Sequence, residues 1–581
     1  MRRRGRRPPF PPDRISVLIG FFAVFAVVVV LRLVQLQVFQ HGHYEALAID
    51  QHQIAGELLP TRGEIYVRDR FSGGTLFPLA TNRTYHLLYA VPKDVENPQV
   101  TARSLAPLLD ADEATIFDRL NKPGDIYEPL QHGMTDEQQS AVEALGLKGI
   151  AFQDEELRYY PEGTIGSHVL GFVGYVGDER KGRYGIEEEF DAALAGKPGS
   201  VITERDAAGR EIPIADRVLE RPEHGADIVL TIDRTIQYEA CGKLDAWVKT
   251  HGAASGSLII LDPKTGAVLA SCGAPDFDPN HYGDVADINT FANPVVFAAY
   301  EPGSVFKPIT MAAALDLGRV TPQTTYEDTG AVEIGKFTIK NSDLKSYGVQ
   351  TMAAVLEKSL NTGAIFAGRE VGDQAFLEYV KAFGFGLQTD VELPGEHAGN
   401  LSTIELQREI YTATASYGQG ITVTPIQLAA AYGAIANGGK LMKPYLVESL
   451  IPAGGERLDT QPTVVRQVIS PRTASTLSAM LVNVVENGHG WRAGVPGYFV
   501  GGKTGTAQIP AKDKRGYEPD AAIGSFAGFA PASNPKFVMV VRVDRPKDVQ
   551  FAENSAAPLF GQIAEFLLHY LEVPPTRTTS D

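Results

Sequence analysis

The chain has 581 residues, of which 44% are hydrophobic and 21% charged, and its formal net charge is -17. This length predicts two or more domains, and the apolar content excludes global disorder. The acidic balance argues against nucleic acid as the main partner, because a surface that binds phosphates needs a basic excess.

The N-terminus differs from the rest of the chain. A basic segment is followed by an uncharged apolar run over residues 15–31. Extended to residue 39, a helix here is long enough to cross a membrane, and the preceding arginines predict a cytoplasmic N-terminus. A cleaved signal peptide is the alternative, but the run is long for one and the nearest cleavage-like triplet, at 46–48, lies well downstream. We therefore predict a cytoplasmic tail over 1–14 and a retained transmembrane anchor over 15–39.

Residues 40–245 combine short helices and strands with glycine-rich loops, including a predicted helix over Asp136–Leu145. Metal-binding, phosphate-loop and dinucleotide motifs are not found here, so the region by itself indicates a spacer or interaction domain. The two cysteines, Cys241 and Cys272, are too few for a disulfide framework or a four-cysteine zinc site. The burial statistics of cysteine favour two free, buried thiols.

The composition changes near Ser255, after which strands and helices alternate to about Leu571. An antiparallel sheet with a final helix packed on it, and a mostly helical insertion between its early and late strands, indicates a three-layer α/β domain. The predicted elements are strands at Ser257–Leu261, Ala267–Ser271, Gly524–Ala530 and Lys536–Arg542, and helices at Val423–Asn437 and Ala557–Leu571.

Ser304 and Lys307 precede a buried apolar helix whose first turn tolerates Pro308. They lie one turn apart on one face, which fits a nucleophile with its base or, equally, an N-cap with a solvated lysine. The same S-x-x-K spacing recurs at Ser342–Lys345 and Ser533–Lys536, so this motif alone does not decide.

Two further motifs follow in order. Ser359-Leu360-Asn361 is an S-x-N element at a helix break, and Lys503 opens a K-T-G element on a predicted strand. A second K-T-G, at Lys264–Gly266, is more simply a hairpin turn. The order S-x-x-K, S-x-N, K-T-G is that of enzymes that acylate a serine, so we identify Ser304 as the candidate nucleophile.

With these motifs and their surroundings, the chain resembles the class B penicillin-binding proteins, membrane-anchored peptidoglycan D,D-transpeptidases, over nearly its whole length. The surrounding stretches are Tyr300–Pro308, Leu393–Glu396, Ser416–Gly420, Gly502–Gln508 and, in the middle region, Arg62–Ile65, Arg158–Pro161 with His168, and Gly185–Glu187.

The resemblance implies a combination of α/β and α+β folds. A transmembrane helix is followed by a mixed, non-catalytic pedestal (the dimerisation domain) over 40–245. A penicillin-binding, serine β-lactamase-like three-layer transpeptidase domain then covers 246–572, with a polar tail over 573–581.

The resemblance also implies roles at the site. Ser304 attacks, Lys307 is the base if burial and the charge of Lys503 lower its pKa, and Ser359 relays a proton. Asn361 holds Lys307 and the substrate, while Leu360 points away from the site.

The backbone N–H groups of Ser304 and Thr506 form the implied oxyanion hole. The implied substrate-binding residues, which meet the terminal carboxylate of a D-Ala-D-Ala stem peptide, are Lys503, Thr504, Gly505 and Thr506. Neither a metal nor an organic cofactor is implied.

The function implied is stem-peptide cross-linking, with β-lactams as inhibitors. The expected location is the bacterial cytoplasmic (inner) membrane, with one pass, the N-terminus inside and the catalytic domain outside. Val495–Tyr498 and the stretch from Ser416 to Val423 look more like division or sporulation members than elongation members. The expected partners are division proteins and a multispanning glycan polymerase of the shape, elongation, division and sporulation (SEDS) family.

Other functions share the three motifs. A D,D-carboxypeptidase, a β-lactamase, a β-lactam-sensing receptor and an elongation-type transpeptidase are the alternatives, and a catalytically idle scaffold is disfavoured by the intact motifs. Only the domain layout favours transpeptidation over hydrolysis. The stem-peptide chemistry, the acyl acceptor, the β-lactam affinity and the oligomeric state are not predicted.

Overall fold

The structure is a computed structural model that describes residues 14–40, 53–177, 179–204, 218–511, 516–549 and 551–577. Most of the basic N-terminal tail and the last four residues of the polar C-terminal tail lie outside the described residues.

The helices are α1 (Arg14–Val34), α2 (Pro98–Leu109), α3 (Glu113–Leu120), α4 (Asp136–Glu143), α5 (Ser167–Leu170), α6 (Gly185–Glu189), α7 (Asp191–Ala195), α8 (Arg234–Thr250), α9 (Pro294–Phe297), α10 (Lys307–Asp316), α11 (Met352–Glu357), α12 (Asn361–Val371), α13 (Asp373–Ala382), α14 (Glu409–Ala415), α15 (Pro425–Ala436), α16 (Pro471–Asn487) and α17 (Ala556–Tyr570). A π-helical turn, Gln35–Phe39, follows α1. Short 3₁₀ turns are Pro92–Asp94, Pro279–Asp284, Ile288–Phe291, Gly303–Phe306, Ile404–Leu406 and Trp491–Ala493.

The strands are β1 (Gln53–Leu58), β2 (Ile65–Arg68), β3 (Leu76–Ala90), β4 (Glu128–Met134), β5 (Ile150–Tyr159), β6 (Phe172–Val176), β7 (Glu179–Arg183), β8 (Gly199–Glu204), β9 (Val218–Glu220), β10 (Asp227–Asp233), β11 (Ser255–Leu261), β12 (Val268–Ala274), β13 (Thr325–Asp328), β14 (Ala331–Ile334), β15 (Phe337–Lys340), β16 (Gly348–Thr351), β17 (Lys440–Met442), β18 (Val447–Ile451), β19 (Leu458–Asp459), β20 (Val464–Gln467), β21 (Gly501–Pro510), β22 (Tyr517–Ala530) and β23 (Phe537–Asp544).

The described residues form two compact units. One contains the residues up to Pro60 together with those described within 197–223, and it holds α1 and the antiparallel sheet β1-β8-β9. The other contains Thr61–Gly196 and His224 onward. In the first unit, the stretch Val17–Gln37 has a mean hydropathy of 2.9, so it is long and apolar enough to cross a membrane, as predicted.

The second unit begins with a sheet of strand order β19-β18-β10-β2-β3-β4, to which β5 is added through β3. A buried ion cluster holds its connections together. Glu187 is fully buried and accepts from Arg62 Nε at 2.9 Å and from Arg158 Nε at 2.6 Å. Two guanidinium groups therefore compensate the one carboxylate that burial would otherwise penalise. These are residues of the middle-region stretches that carried the resemblance.

The middle region also contacts the strands that follow it within this unit. Nε2 of the buried His168 donates to the carbonyl of Thr290 at 2.9 Å, since a carbonyl oxygen can only accept. Burial lowers the pKa of the imidazole to about 4, so the ring is neutral and carries its proton on Nε2. A Cβ on Gly273, in β12, would lie 2.8 Å from the ring, so only glycine permits this approach.

The later sheet has the antiparallel order β12-β11-β23-β22-β21 and is covered on both faces. Leu258 and Ile260 pack into a core with α8 and α17, whereas Ile259 and Leu261 pack into the core that contains α10 and α15. Alternate residues of one buried strand thus serve two helical layers. This is the predicted three-layer arrangement.

The cysteine prediction is wrong. Cys241 in α8 and Cys272 in β12 form a disulfide, with their Cα atoms 5.3 Å apart. Free thiols were predicted from how often single cysteines are buried. Such statistics do not consider whether the fold brings two cysteines together. Here α8 packs on β12 and brings two residues 31 positions apart within bonding distance.

The remaining predicted elements are found with shifts at their ends. The helix predicted from Val423 begins at Pro425 instead, because Thr424 forms a capping box with Gln427 and Val423 is extended against Tyr300. The helix predicted over Asp136–Leu145 ends at Glu143.

Candidate active site

Ser304 lies in a 3₁₀ turn, Gly303–Phe306, rather than at the start of the long helix. Helix α10 begins with Lys307, and Pro308 occupies its first turn, as predicted. The alternative interpretation of Ser304 as a helix N-cap is excluded, because the residue before α10 is Phe306, which makes no side-chain cap. Ser304 is partly exposed, so its hydroxyl is available to a ligand.

Two glycines let the neighbouring segments approach the Ser304 turn. A Cβ on Gly505, in β21, would lie 2.8 Å from the carbonyl oxygen of Pro302, and a Cβ on Gly418 would lie 2.1 Å from that of Gly303. The Gly303 N–H donates to the Gly418 carbonyl at 3.0 Å. The K-T-G strand and the stretch Ser416–Gly420 thus fix the turn from two sides, which explains both sequence patterns.

Lys307 is almost completely buried, with 1% of its surface exposed. Its Nζ donates to the Ser359 carbonyl at 2.5 Å and to Ser359 Oγ at 3.2 Å. Burial, and secondarily the charge of Lys503, hold the pKa of Lys307 well below its usual value. Both causes are those predicted, and both favour the neutral form of the amine.

Ser359 lies in the tight bend between α11 and α12, with φ at 56°. A non-glycine residue in this left-handed region costs about 1–2 kcal/mol, so the surrounding contacts must hold it there. Among these contacts, the Leu360 N–H donates to the Val355 carbonyl at 2.9 Å, and the Leu360 side chain is 2% exposed. Leu360 therefore points into the interior, as predicted, while both its neighbours stay partly exposed.

Asn361 is the first residue of α12, but its side chain does not hold Lys307 in the described structure. Its Nδ2 donates to the Lys340 carbonyl at 2.9 Å instead. Lys340, the last residue of β15, offers that carbonyl, so the predicted contact with Lys307 is not made among the described residues.

Lys503 lies in β21 and is fully buried. Its Nζ donates to the Thr504 carbonyl at 3.1 Å and to Thr504 Oγ1 at 3.3 Å. Burial lowers the pKa of Lys503 to about 7, against the smaller opposing effect of the Glu553 carboxylate. Thr506 is exposed, and its Oγ1 accepts from the Ala552 N–H at 3.1 Å.

The repeated motifs lack the buried lysine of this cluster, since Lys345 and Lys536 are both exposed. Lys264 lies in the hairpin turn between β11 and β12, as predicted, and its Nζ donates to Asn534 Oδ1 at 2.8 Å. Ser533 lies in the loop between β22 and β23, and Ser342 in the exposed segment after β15. Only the copy at Ser304 has a buried lysine beside it.

The chain matches two family models whose order follows the fold. Residues 57–230 match "Penicillin-binding Protein dimerisation domain", and residues 256–565 match "Penicillin binding protein transpeptidase domain". The chain belongs to the class B penicillin-binding proteins. The apolar helix α1, which precedes both matched regions in the chain, is long and apolar enough to anchor the protein to a membrane.

Curated relatives cover between about three quarters and nearly all of this class B penicillin-binding protein. Stage V sporulation protein D of Bacillus subtilis is 35% identical over 567 residues, which are 96% of this chain and 86% of that protein. Penicillin-binding protein PbpB of Mycolicibacterium smegmatis is 36% identical over 438 residues, which are 73% of this chain and 66% of the relative.

Solved structures agree with the fold. The crystal structure of penicillin binding protein 3 from Mycobacterium tuberculosis, complexed with aztreonam, has a TM-score of 0.70 at 27% identity and covers 90% of this chain and all of that one. Penicillin binding protein 2X from Streptococcus thermophilus has a TM-score of 0.73 at 23% identity, covering 90% of this chain and 81% of that one, and this likeness concerns the fold alone.

Sequence reasoning missed one residue of this penicillin-binding protein's cleft. Glu301 lies two residues before the turn Gly303–Phe306. Its carboxylate accepts from the Gly420 N–H at 3.0 Å and from the Tyr517 hydroxyl at 3.1 Å. It thereby joins the loop after Ser416 to the start of β22. The signal was present in the stretch Tyr300–Pro308, but its role depends on segments more than 100 residues away.

Proposed function

We propose that this chain cross-links peptidoglycan stem peptides through an acyl ester on Ser304. The observation that carries the proposal is the buried amine of Lys307, three residues after Ser304 in the chain and hydrogen-bonded to Ser359. Burial lowers the pKa of this amine, so Lys307 is better suited than an exposed lysine to accept a proton in its neutral form.

The proposed acylation begins when neutral Lys307 takes the hydroxyl proton of Ser304. Ser304 Oγ forms a bond to the carbonyl carbon of the penultimate D-alanine, and the backbone N–H groups of Ser304 and Thr506 stabilise the oxyanion. The C–N bond to the terminal D-alanine then breaks. The leaving amine receives the proton from Lys307 through Ser359, whose Oγ lies 3.2 Å from Lys307 Nζ.

In the proposed second half, an amine of a neighbouring stem peptide attacks the ester. Its proton returns through Lys307 to Ser304 Oγ as the C–O bond breaks, which leaves a cross-link and the free enzyme. With a β-lactam the reaction stops at the ester, because the amine released by ring opening stays attached to the acyl group. We assign Asn361 to the substrate's amide, since its backbone begins α12 beside Ser359.

Substrate recognition is assigned to the strand β21. Lys503, with the Thr504 and Thr506 side chains and the approach allowed by Gly505, would bind the terminal carboxylate. Arrival of that carboxylate restores the charge that burial makes unfavourable in the free protein.

We further propose that the catalytic domain faces the outside of the cytoplasmic membrane and acts at division or in sporulation. The name of the B. subtilis relative and the disulfide, which persists in oxidising compartments, support this proposal. The proposed domains are a pedestal over 40–245 and a transpeptidase domain over 246–572, with a SEDS-family polymerase and division proteins as partners.

The test is labelling with a fluorescent penicillin, followed by mass spectrometry of the adduct. Wild-type protein and the control variants Ser342→Ala and Ser533→Ala are expected to label equally, whereas Ser304→Ala should not label. Lys307→Ala should label more slowly by roughly 10²–10⁴-fold, the usual effect of a lost general base. An adduct on a peptide without Ser304, or none on folded wild-type protein, would refute the proposal.

A further inference from the structure

A polar cluster of buried side chains lies behind the S-x-N element. Asp328 at the end of β13, Asn341 after β15 and Thr362 in α12 are 1%, 2% and 3% exposed. Buried polar groups are retained only when they are hydrogen-bonded, so the bonds of this cluster indicate what it holds in place.

The carboxylate of Asp328 has no basic partner among the described residues. Its hydrogen bonds all come from uncharged donors. Its oxygens accept from the N–H groups of Gly330 and Tyr347, from Asn341 Nδ2 and from Thr362 Oγ1, at 2.8–3.1 Å. A buried anion with this many donors is strongly oriented, because each donor would lose its partner if the carboxylate turned.

Asn341 caps α12 from outside the helix. The residue before that helix, Leu360, has no side chain able to cap it. Asn341 Oδ1 takes over this function by accepting from the N–H groups of Asn361 at 3.0 Å and Thr362 at 3.3 Å. The first turn of α12, and with it the backbone that carries the S-x-N residues, is therefore held by Asn341.

Asp328 decides which way the Asn341 amide faces. Asn341 Nδ2 donates to both carboxylate oxygens of Asp328, at 3.1 and 3.0 Å, and to the Lys345 carbonyl at 3.1 Å. These acceptors can be met only by the NH₂ group, so the amide oxygen must face the helix. Without the carboxylate, the Asn341 amide could rotate. Its NH₂ group would then face the N–H groups of Asn361 and Thr362, and no hydrogen bond could form.

We propose that Asp328 is a positioning residue of the active site: by orienting Asn341, it fixes the start of α12 and so the placement of Ser359 and Asn361. The inference rests on the proposed function. Ser359 sits one residue before the capped turn and contacts Lys307 through both its carbonyl and its Oγ. If the start of α12 is less firmly held, Ser359 shifts and its hydrogen bonds to Lys307, the proposed base, are weakened.

This role also accounts for the segment that carries the repeated S-x-x-K motif at Ser342. Lys345 contributes its backbone carbonyl to Asn341, and the Ser346 hydroxyl donates to the Asp328 carbonyl at 2.7 Å. The segment supports the site through its backbone rather than through a second nucleophile.

The experiment compares Asp328→Asn with Asp343→Asn in the full-length protein, using the rate of acylation by a penicillin across a range of pH. Asp343 is the matched control because it is in the same segment, but its exposed carboxylate accepts from Tyr347 and Lys345, away from α12. Asp328→Asn is expected to lower the second-order rate constant by roughly 10-fold, as for a lost helix cap or charged hydrogen bond, and Asp343→Asn to change it less than about twofold.

The pH profile separates positioning from stability. Ser359 accepts bonds that favour protonated Lys307, so displacing it should move the acid limb of acylation to lower pH by about half a unit or more. Asn341→Ala removes the cap while leaving Asp328 three donors, and it should reproduce both effects if Asp328→Asn does not fold.

The results distinguish failure of the positioning role of Asp328 from failure of the proposed acylation at Ser304. A folded Asp328→Asn that is acylated like wild type, or more slowly with an unchanged acid limb, would overturn the positioning role, as would loss of the fold in both variants. Failure of wild-type protein to acylate at Ser304 would instead refute the proposed function.

Discussion

Two lysine side chains, both almost fully buried, determine the electrostatics of the site. Lys307 is bonded to Ser359, whereas Lys503, among the residues that the structure describes, is bonded within its own strand to Thr504. Burial disfavours the charged form of each, and the charge on Lys503 adds to the effect on Lys307. The two amines are therefore expected to differ in function, one as base and one as carboxylate ligand.

Replacing Lys503 by methionine should slow acylation by penicillins without unfolding the protein. Methionine keeps the apolar stem but removes the charge that would meet the carboxylate. The loss of a charge-assisted hydrogen bond, about 1.5–3 kcal/mol, corresponds to roughly 10- to 100-fold in the second-order rate constant. Stopped-flow or gel-based labelling measures this rate.

Lys264→Met is the matched control, because it changes the same residue in the other K-T-G sequence. Its side chain contacts Asn534 at the surface, so we expect unchanged acylation. Equal defects in the two variants would show that carboxylate recognition has been assigned to the wrong strand.

The acylation rate should fall as the pH rises above about 7. The pKa of Lys503 is lowered to about 7 in the folded protein, so the free protein loses this charge just above neutrality rather than near 10.5. The second-order rate constant reports titrations of the free enzyme, and it should show this limb. Lys307, with its own lowered pKa, should produce the limb on the acid side.

Lys503→Arg tests the origin of the alkaline limb. A guanidinium remains charged throughout the range, so the fall should move to higher pH even if the bulkier group lowers the maximum. A limb that stays near pH 7 in this variant would have to arise from another group.

Secondary elements differ in how far the sequence predicts them. The strands around Leu258 and the helix at Pro425 were predicted because hydrophobic patterning and capping residues are local signals. The 3₁₀ turn at Ser304 was not, because Gly418 and β21, both far along the chain, fix it. The left-handed φ of Ser359 was not predicted either, because the position carries no glycine to signal it and the burial of Leu360 holds it.

The pairing of α8 with β12 is another such case, and its disulfide yields a stability prediction. Removing it in Cys241→Ala/Cys272→Ala should lower the free energy of unfolding by about 2–4 kcal/mol, as for other native disulfides. Acylation at a temperature where the variant is folded should be unchanged, because neither cysteine contacts the site residues. Denaturant unfolding and penicillin labelling measure the two quantities.

A reductant provides the control for the comparison of the wild-type protein with the double variant. It should destabilise the wild-type protein but leave the double variant unaffected. Reaction of unfolded wild-type protein with a maleimide before any reduction would show that the thiols are free, and would contradict the disulfide.

Across the molecule, domain order was easier to predict than detailed contacts. The order of anchor, middle region and catalytic region follows from hydropathy and from three motifs in sequence. The middle region, however, had no recognisable chemistry of its own. Its ion cluster around Glu187 brings together Arg62 and Arg158, which are separated by almost a hundred residues, and such a pairing has no local signature.

The membrane anchor can be tested by separating it from the catalytic function. Full-length protein should stay in the membrane fraction after washing with high salt or alkaline carbonate, because α1 is held by hydrophobic burial rather than by surface charge. Its mature N-terminus should retain the arginines that precede α1. A version lacking residues up to about 40 should be released from membranes, yet acylate with an unchanged rate constant, because every candidate site residue lies at Glu301 or later in the chain. A mature N-terminus near residue 49 would show that the helix is a cleaved signal, and a truncated protein that folds but does not acylate would show that the anchor contributes to the site.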